Sequence, residues 1–553
     1  MQQKRGISRR DFLRVSAMAT AGTVLAACAP AVSPAPATGE TPAPGTTAPA
    51  SSDVAQVIRR RVPNPLTNVW PNRAGGEDRE AVYFAYAPPY WLTPDGGTTP
   101  GFALSHEVSD DALTWTLHID PEAVFSNGKP ITAEAVKKCW EWGLKPENEA
   151  TWGGSHLVLR PVKGTTPIFE GNATEAEGLI VEDERTLRIE FESTPFGWEQ
   201  ALSSHYLAVF DSEAADEDRE TFLTTPVTSG PYLITLDPNT GEATLERNAN
   251  WWREAPNIER IENPVIQDEE AAFIAFDNGE IDMLMAWLGS AGPALERWPD
   301  LIHQIEDSPG MWYLGFNSQA EPTDDVWLRR AMLHSIDRHT ALAAIAPDAF
   351  KVVDSMVNDP FACFNPELTI PYDPELAREE LAQSRYGSGA SVPPIRAYFP
   401  AGRPVFGDIL AYFQDQWRQE LGIDVQVQEY SDQLPEDWHI NRASFGATIA
   451  DESYYLSAFG RHDGSLSMNS NIGTTDEIDA LLQEADTMLP TQQAERCERY
   501  QEAERLLLDN ASVIPMVTTI NYWVIQPWVT WEQARLVWPY PVNWTEWVIT
   551  ERA

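Results

Sequence analysis

The stretch MWYLGFNSQAEPTDDVWLRRAMLHSIDR, residues 311–338, contains two secondary-structure patterns in succession. At its start, Trp312, Leu314 and Phe316 fall on one side of an extended chain, and this period of two predicts a β-strand. One of the two aspartates at positions 324 and 325 can then accept the free backbone N–H groups that begin a helix. Apolar residues at helical spacing follow. We therefore predict that the strand leaves one globular lobe, that the helix begins a second, and that the functional site is the cleft between them.

The length and charge of the chain restrict its class. A single hydrophobic core stops growing near ~250–300 residues, so a chain of 553 residues is expected to hold two or more core units. Its formal net charge of −44 argues against nucleic-acid binding and against polybasic contact with a membrane surface. An acidic cleft would favour a cationic or zwitterionic ligand. The simpler interpretation is a solvated acidic face that maintains solubility.

The amino terminus carries the pattern of an export signal. Residues 8–14, SRRDFLR, precede a weakly apolar run over residues 15–27 that is too short and too rich in Ala, Thr and Gly to span a bilayer. Arg9 and Arg10 resemble a twin-arginine signal, with an ordinary basic Sec signal as the alternative. The run ends in LAAC, which resembles a bacterial lipobox and implies lipidation of Cys28. We predict a signal peptide over residues 1–27 and, from the lipidated Cys28 onward, an Ala/Pro/Thr-rich linker to residue 52.

Three further cysteines, Cys139, Cys363 and Cys497, are scattered through the body of the chain. An odd number at wide spacing predicts neither a disulfide framework nor a zinc site. One pair can still form a disulfide bond, and the sequence does not say which.

Several motifs occur in a fixed order between about residues 100 and 340. They are GFALSHEVSDDALTWTLHIDPEAVFSNGKPITAEAVKKCWEWGL (101–144), GLIVEDERTLRIEFE (178–192), PVTSGPY (226–232), RNANWWREAP (247–256), NGEID (278–282) and the opening stretch. Together they resemble the family 5 extracellular solute-binding proteins of bacterial ABC transporters, which include dipeptide, oligopeptide and nickel binders. The chain departs from the family pattern at Asn127, Ala135 and Thr228, all on turns or a helix.

This resemblance implies an α/β fold of the type II periplasmic-binding-protein class, with two lobes, a hinge and an inserted small domain. Lobe one is expected to comprise residues 53–78, 226–310 and 513–553, the inserted domain residues 79–225, and lobe two residues 311–512. The residues support an open α/β sheet independently, because helix, glycine and strand patterns alternate after residue 373. Residues 82–87, VYFAYA, favour a further strand.

The resemblance also places a ligand site. Open α/β sheets bind ligands at loops beyond the carboxyl ends of their strands. Residues 450–452, Ala-Asp-Glu, resemble the A-D-Y segment of peptide binders, which implies that Asp451 holds the α-ammonium of a ligand. The alternative is that Asp451 caps the following helix. Glu452 replaces the tyrosine of the motif, and Tyr454 is expected to supply an aromatic wall instead.

Four other residues are secondary candidates for ligand contact, each with a structural alternative. Trp312 is expected either at the ligand or in the core, and Asn317 either at the ligand or as a turn cap. Trp438 and Trp91 lie in predicted loops near prolines, where an indole either contacts a ligand or covers an apolar surface.

No set of catalytic residues is visible in the sequence. It contains no H-E-x-x-H, G-x-S-x-G, P-loop or Cys-x-x-Cys motif, and its histidines are scattered. We predict a protein that is not an enzyme, needs no cofactor or metal, and acts as a monomer at the extracytoplasmic face of the membrane. It would deliver a peptide to the permease subunits of an ABC importer and their ATPases. An oligosaccharide or a metal chelate is the alternative ligand, and a hydrolase or a ligand sensor is the alternative class.

Overall fold

The computed structural model describes residues 54–551, except 94–97, 149–153, 196, 306–309, 360, 432, 447–450, 463, 465–470, 490–491 and 531–546. The predicted signal peptide, Arg9, Arg10, Cys28 and the linker therefore lie outside the described residues. None of the helices in the described ranges is long and apolar enough to cross a membrane.

The opening stretch folds as its sequence pattern predicts. Gly310–Phe316 is a strand whose residues after Gly310 are all buried. Asp325 accepts hydrogen bonds from the backbone N–H groups of Trp327 and Leu328, and it begins the helix Val326–His334. A second cap at Asp337 begins the next helix. The strand lies inside the largest sheet of the described chain and shares one core with the helix. Residues 311–338 therefore belong to one lobe throughout, and the prediction that the strand leaves one lobe while the helix begins another is wrong.

That largest sheet has six strands and forms the floor of lobe two. Its strands pair antiparallel except at the two neighbours of Ile395–Pro400, which run parallel to it. In spatial order the strands are Phe350–Val352, Val513–Thr519, Gly310–Phe316, Ile440–Gly446, Ile395–Pro400 and Val425–Tyr430.

The other sheets lie on the lobe-one side and in the region of the predicted insertion. A mixed four-stranded sheet consists of Val57–Arg59, Arg260–Asn263, Ala243–Arg247 and Tyr232–Leu236. A three-stranded antiparallel sheet consists of Met283–Ala286, Asn521–Ile525 and Ile302–Ile305. A four-stranded antiparallel sheet within residues 79–225 consists of Ala103–Val108, Thr114–Ile119, Thr186–Glu190 and Leu179–Asp183. Two further pairs are Tyr90–Leu92 with Thr98–Pro100 and Val529–Thr530 with Val548–Ile549.

Helices cover the sheets, and several begin at residues whose side chains cap the first turn. Thr132, Thr475 and Asp373 each accept a backbone N–H at a helix start, and Pro374 occupies the first turn after Asp373. The α-helices are Gly76–Ala85, Ala133–Leu144, Ser155–Leu159, Thr165–Phe169, Trp198–Ala201, Ser212–Glu217, Arg219–Phe222, Glu269–Asp277, Ala291–Arg297, Val326–His334, Arg338–Ile345, Pro374–Gln383, Pro404–Gln416, Glu452–Gly460, Asp476–Asp486 and Gln493–Asn510. Short 3₁₀ turns occupy Pro146–Asn148, His205–Leu207, Leu288–Ser290 and Gly389–Ser391, and a π-helical turn occupies Trp417–Leu421.

Two large hydrophobic clusters form the cores. One joins the mixed four-stranded sheet to the sheet within residues 79–225, and the other surrounds the six-stranded sheet. A smaller third cluster packs under the three-stranded sheet. The predicted inserted domain thus has its own sheet but shares a core with lobe one.

The predicted boundary at residue 513 is wrong. Val513–Thr519 pairs with Gly310–Phe316 in the six-stranded sheet, whereas Asn521–Ile525 pairs with strands of lobe one. The chain therefore passes from lobe two to lobe one at Ile520. The run VIPMVTTINYWVI is mostly apolar on both sides of its central Thr-Thr-Ile-Asn segment, and no turn residue marks the crossing. The sequence therefore does not show that its halves join different sheets.

The strand predicted over residues 82–87 is also wrong. Those residues end the helix Gly76–Ala85, and Ala81 to Ala85 are all buried. A helix that is enclosed on every side loses its polar face. The aromatic content of this segment then favours a strand by propensity alone, and tertiary packing overrides that preference.

Candidate functional site

A cavity of about 290 Å³ lies between the six-stranded sheet and the three-stranded sheet. Its walls come from both sheets and from the chain that follows the first strand. Thr519 and Asn521, on either side of the crossing at Ile520, both line it. The lining residues are Arg60, Arg61, Val62, Pro63, Arg79, Glu80, Met285, Trp287, Trp312, Arg403, Ser444, Thr519, Asn521 and Trp523. Because both lobes line the cavity, any relative movement of the lobes changes its shape.

Three indole rings form the apolar part of the cavity wall. Trp287 and Trp312 meet edge to face, with ring centroids 6.4 Å apart and planes at 88°. Trp523 lies on the central strand of the three-stranded sheet and is almost fully buried. Indole faces are suited to flat or apolar ligand groups. The volume is at the small end of the ~300–1,000 Å³ typical of ligand pockets.

Arginine dominates the charged part of the wall. The described lining holds Arg60, Arg61, Arg79 and Arg403 and a single carboxylate, Glu80. This excess of positive charge contrasts with the net charge of −44 for the whole chain. The alternative of an acidic cleft does not describe this cavity, because Glu80 is the one carboxylate among its described lining residues.

Arg60 and Arg61 are held at the cavity wall by partners within the protein. Arg60 is paired with Glu80 and donates to Oδ1 of Asn263 over 2.9 Å. Arg61 is paired with Glu269 over 2.8 Å and donates to the Ile266 carbonyl over 2.8 Å. Burial lowers the pKa of Arg60 even though Glu80 acts in the opposite direction. Both side chains are held in fixed positions at the cavity wall.

A fifth arginine, Arg442, lies directly behind Trp312. Its guanidinium carbon is 3.7 Å from the Trp312 ring centroid and 3.6 Å from that of Phe406. Its side chain makes no ion pair with any described residue, and its buried Nε and Nη2 atoms have no hydrogen-bond partner in the described part of the chain. Burial, followed by repulsion from Arg403, lowers the pKa of Arg442 to about 9. A buried cation that the described residues do not neutralise therefore lies behind the Trp312 side of the cavity wall.

Asp451, the residue predicted to bind a ligand's ammonium group, is engaged by other residues of the protein. Its Oδ1 accepts a bond of 2.7 Å from Nη2 of Arg496, and its Oδ2 accepts one of 3.0 Å from Nη1. Oδ1 also accepts the backbone N–H of Ser453, so Asp451 caps the helix Glu452–Gly460. The carboxylate is 7% exposed and is satisfied by Arg496. The capping alternative is the one that the structure shows.

Glu452 belongs to the same buried network. Its carboxylate accepts the backbone N–H of Cys363 over 2.7 Å and lies 3.6 Å from Arg496. Burial and the neighbouring charge of Asp451 raise the pKa of Glu452. Cys363 is joined to Cys497 by a disulfide bond, which answers the pairing question that the sequence leaves open, and Cys139 is free and buried. This part of lobe two is thus a structural anchor.

The secondary candidates divide between the cavity and the scaffold. Trp312 lines the cavity. Asn317 instead caps a turn, since its Nδ2 donates to the Trp438 carbonyl and its Oδ1 accepts from the backbone of Gln319. Trp438 is buried beside that turn.

Trp91 and Tyr454 are likewise packed against other aromatic side chains. Trp91 meets Tyr83 edge to face at 5.2 Å, and Tyr454 lies 5.2 Å from the Phe445 ring. The described lining of the cavity contains neither residue, nor Asn317, Trp438 or Asp451. Their predicted ligand contacts are not supported, because local packing and capping already account for each side chain.

Sequence reasoning missed most of the residues that line the cavity. One signal was available: residues 59–61 are three consecutive arginines in a strongly acidic chain. The first of them, Arg59, is paired with Asp282 and is not part of the described cavity lining, while the next two are. Trp287, Arg403 and Trp523 carry no local pattern that distinguishes them from core residues.

The two sheets, the crossing at Ile520 and the cavity between the sheets define a two-lobed ligand-binding protein. A family model described as "Bacterial extracellular solute-binding proteins, family 5 Middle" matches residues 97–467. The chain belongs to this family, the family 5 solute-binding proteins of ABC transporters.

Individual relatives are distant but extend over most of the chain. The chain is 24% identical over 463 residues to the oligopeptide-binding protein OppA of Bacillus subtilis, covering 78% of this chain and 82% of that protein. It is 25% identical over 462 residues to heme-binding protein A of Haemophilus influenzae, covering 77% and 80%. The structure of the murein tripeptide binding protein MppA of Escherichia coli matches with a TM-score of 0.77 at 19% identity, covering 90% of this chain and 99% of that one. The predicted two-lobed type II fold is thereby confirmed.

Proposed function

We propose that this chain is the lipid-anchored ligand-capturing component of an ABC importer and that it binds a small ligand in the Trp- and Arg-lined cavity. The observation that supports this proposal is the composition of the cavity wall, to which both lobes contribute at the point where the chain crosses between them. The ligand would then be delivered to the permease subunits and their ATPases.

The mechanism proposed is closure of the two lobes on the ligand. A ligand that contacts Trp312 from one sheet and Trp523 from the other binds a closed arrangement more tightly than an open one. Such a differential affinity shifts the population toward the closed form. The permease would recognise that form, and no covalent step is required of the protein.

A short peptide is the first ligand class to test, because two of the relatives above are named for peptides. The peptide cannot rely on Asp451 for its ammonium group, since Arg496 occupies that carboxylate. Its carboxylate would instead face the arginines of the cavity. An oligosaccharide stacked on the indoles and a metal chelate remain alternatives, and a hydrolase or sensor remains the alternative class.

Thermal stabilisation against a panel of peptides, oligosaccharides and metal chelates tests this function. A ligand present at 100 times its Kd is expected to raise the free energy of unfolding by ~2.7 kcal/mol. Each stabilising compound should be recovered unchanged after incubation with the protein. If none of the compounds stabilises the protein, ligand capture is contradicted. Conversion of a compound to product would favour the hydrolase alternative.

Membrane attachment and export are tested separately in cells. Cys28→Ser is expected to move the protein from the membrane to the soluble extracytoplasmic fraction, because acyl chains contribute ~0.8 kcal/mol of membrane affinity per buried CH₂. Arg9→Lys combined with Arg10→Lys is expected to block export through a twin-arginine route. Normal export of that double variant would instead indicate a Sec signal.

For domain organisation we propose lobe one over residues 53–78, 226–310 and 520–553, the insertion over residues 79–225 and lobe two over residues 311–519. The new boundary at residue 520 follows from strand pairing. We also propose that the protein is a monomer, which light scattering of the purified protein will test.

A further inference from the structure

We propose that Asn521 determines ligand specificity in this cavity, because its side-chain amide donates a hydrogen bond to the carbonyl oxygen of an amide group in the ligand. This inference rests on the proposed ligand-capture function and names the group of the ligand that the site recognises. Three observations support it: the alternation of side chains at the lobe crossing, the burial of Asn521 and a hydrogen-bond donor that the described residues leave unused.

Alternate residues at the lobe crossing face the cavity. Thr519, Asn521 and Trp523 belong to its described lining. Tyr522, which lies between the last two, instead donates its hydroxyl hydrogen to the Asp348 carbonyl over 2.7 Å. Successive side chains of an extended chain point to opposite faces. One face of the crossing therefore presents a hydroxyl group, a carboxamide and an indole to the cavity in succession.

Asn521 lies between the two indoles that a ligand of both lobes would contact. Trp312 pairs in register with Val517, on the lobe-two side of the crossing. Trp523 lies on the lobe-one side, where its strand pairs with two others of the three-stranded sheet. Along the chain, Asn521 comes between Val517 and Trp523. A ligand that reaches from one indole to the other therefore passes the carboxamide.

The carboxamide of Asn521 carries a donor for which the described chain offers no acceptor. The residue is 2% exposed, and its Nδ2 has no hydrogen-bond partner in the part of the chain that the structure describes. A buried donor without an acceptor is unfavourable, because it has lost its hydrogen bonds to water. A ligand oxygen at this position would supply the missing acceptor, and the new bond would contribute to affinity.

Two arginines of the same wall show the contrast with Asn521. Arg60 donates to Oδ1 of Asn263 over 2.9 Å, and Arg61 donates to the Ile266 carbonyl over 2.8 Å. Each is also paired with a carboxylate. These guanidinium groups are engaged within the protein, whereas the Nδ2 of Asn521 is left for the ligand.

An amide carbonyl is the acceptor that fits this position. The donor is uncharged, so it does not by itself compensate the burial of an anionic group. An amide is planar, and its flat face can pack on the indole of Trp523, two residues beyond Asn521 on the strand Asn521–Ile525. A sugar hydroxyl can also accept the bond, but it offers no planar group to the indole.

The test combines one protein variant with the change of one ligand atom. The probe is the peptide Ala-Phe-Ala, together with the two analogues in which sulfur replaces the oxygen of one peptide bond. A thioamide sulfur is a weaker hydrogen-bond acceptor than an amide oxygen. Calorimetry on the purified mature protein should show about a 10-fold loss of affinity for one of the two analogues, as expected when a buried donor loses its acceptor.

Asn521→Leu keeps the size of the side chain and removes its donor. This variant should bind the parent peptide about 10-fold more weakly than the wild type and should no longer distinguish it from either thioamide. Asn358→Leu is the matched control. The carboxamide of Asn358 is also buried without a partner among the described residues, but it lies outside the described cavity lining. The control should leave all three affinities unchanged.

A purely structural role of Asn521 predicts a different result. In that case Asn521→Leu would lower the melting temperature of the ligand-free protein and leave the ratio of peptide to thioamide affinity unchanged. Our proposal expects that temperature to stay the same or rise, because an unpaired buried donor is removed.

Three results would overturn the proposal. They are equal affinity of the wild type for the peptide and both thioamides, failure of the wild type to bind the peptide, and weaker binding of an oligosaccharide but not of the peptide by Asn521→Leu. Ligand capture still stands if any other peptide, sugar or chelate binds, and both proposals fall if no compound binds.

Discussion

Two buried arginines of lobe two are stabilised in different ways. Arg496 forms ion pairs with Asp451 and Glu452 and donates to the hydroxyl of Tyr500. Arg442 lies between aromatic rings and forms no ion pair with the described residues. Removing a partner of the first arginine leaves a buried charge unpaired, whereas removing the second arginine eliminates such a charge. Replacing Asp451, a partner of Arg496, is therefore expected to destabilise the protein, whereas replacing Arg442 with an apolar residue is expected to leave its stability unchanged or to raise it.

Asp451→Ala is predicted to destabilise the protein by about 3–5 kcal/mol, because Arg496 would remain buried without its carboxylate and the helix Glu452–Gly460 would lose its cap. Urea unfolding measures this loss. The double variant Asp451→Ala with Arg496→Met should recover part of it, since the uncompensated charge is then removed. Unchanged stability together with lost ligand binding would instead support the ammonium-binding role of Asp451.

Glu504 is predicted to make stability depend on pH. One of its oxygens accepts from Ser355 Oγ and from the backbone N–H groups of Met356 and Val357, while burial raises its pKa. A raised pKa in the folded state means that stability falls as pH increases from the ordinary value of 4.5 through the folded value. Glu504→Gln keeps the accepting oxygen and removes the charge. The melting temperature of this variant minus that of the wild type should therefore increase as pH increases.

Melting temperatures at pH 4.5 and pH 8 measure this difference, with pH 4.5 taken as the ordinary glutamate value. The matched control is Glu502→Gln on the same helix, where an exposed carboxylate is paired with Arg505 and its pKa is lowered. That control should show no gain at the higher pH. A gain of Glu504→Gln that is the same at both pH values would refute the pH dependence.

At the level of elements, the helix Gln493–Asn510 connects several parts of lobe two. It carries Arg496, which binds the start of the helix Glu452–Gly460, and Cys497, which is bonded to Cys363. It also carries Glu504, which holds the loop at residues 355–357. One helix therefore fixes two regions that are distant from it in sequence, residues 355–363 and the start of the helix Glu452–Gly460.

The disulfide bond is the covalent part of this anchor. Replacing Cys363 and Cys497 with serine is predicted to lower the free energy of unfolding by about 2–5 kcal/mol, because the bond closes a long loop of 134 residues. Chemical denaturation with and without reductant provides the measurement. Reductant should destabilise the wild type and leave the double variant unchanged, and equal sensitivity of both proteins would contradict the assignment.

Local patterns predict many elements because their causes are local. The cap at Asp325, the cap at Thr132 and the Asp373–Pro374 start each need only a few neighbouring residues. The crossing at Ile520 depends on which strand lies beside each half of an apolar run. Strand pairing is set by distant residues, and the local pattern therefore cannot place it.

At the level of the whole molecule, the net charge of the protein and the charge of the side chains around the cavity have opposite signs. The chain carries a net charge of −44, while Arg403 lines the cavity and Arg442 lies behind Trp312. An anionic ligand would be repelled at long range and attracted at short range. Salt screens exposed charges beyond a Debye length of ~8 Å more strongly than buried pairs.

The association rate constant of an anionic ligand is therefore predicted to increase with ionic strength. Stopped-flow quenching of the tryptophan fluorescence of the protein, with a bound acid that contains no indole, measures this rate. The neutral partner of the same compound serves as the control and should show no salt dependence. A rate that falls as salt is added would mean that attraction by the cavity reaches beyond the protein surface.

The sequence by itself determined the family, the two-lobed α/β class, the start of most of the helices discussed and the absence of a recognisable catalytic motif. These features depend on periodicity, capping residues and motif order, all of which act over short stretches of chain. Only the tertiary structure decided that Asp451 is paired with Arg496, that Cys363 bonds to Cys497 and that an acidic protein has an arginine-lined cavity. The physical reason is that ion pairing, disulfide bonding and desolvation depend on which residues the fold brings within a few ångströms of one another. The stretch at residues 311–338 shows both kinds of feature. Its strand pattern was predictable from the sequence, while the position of Trp312 at the cavity depends on the strands that lie beside it.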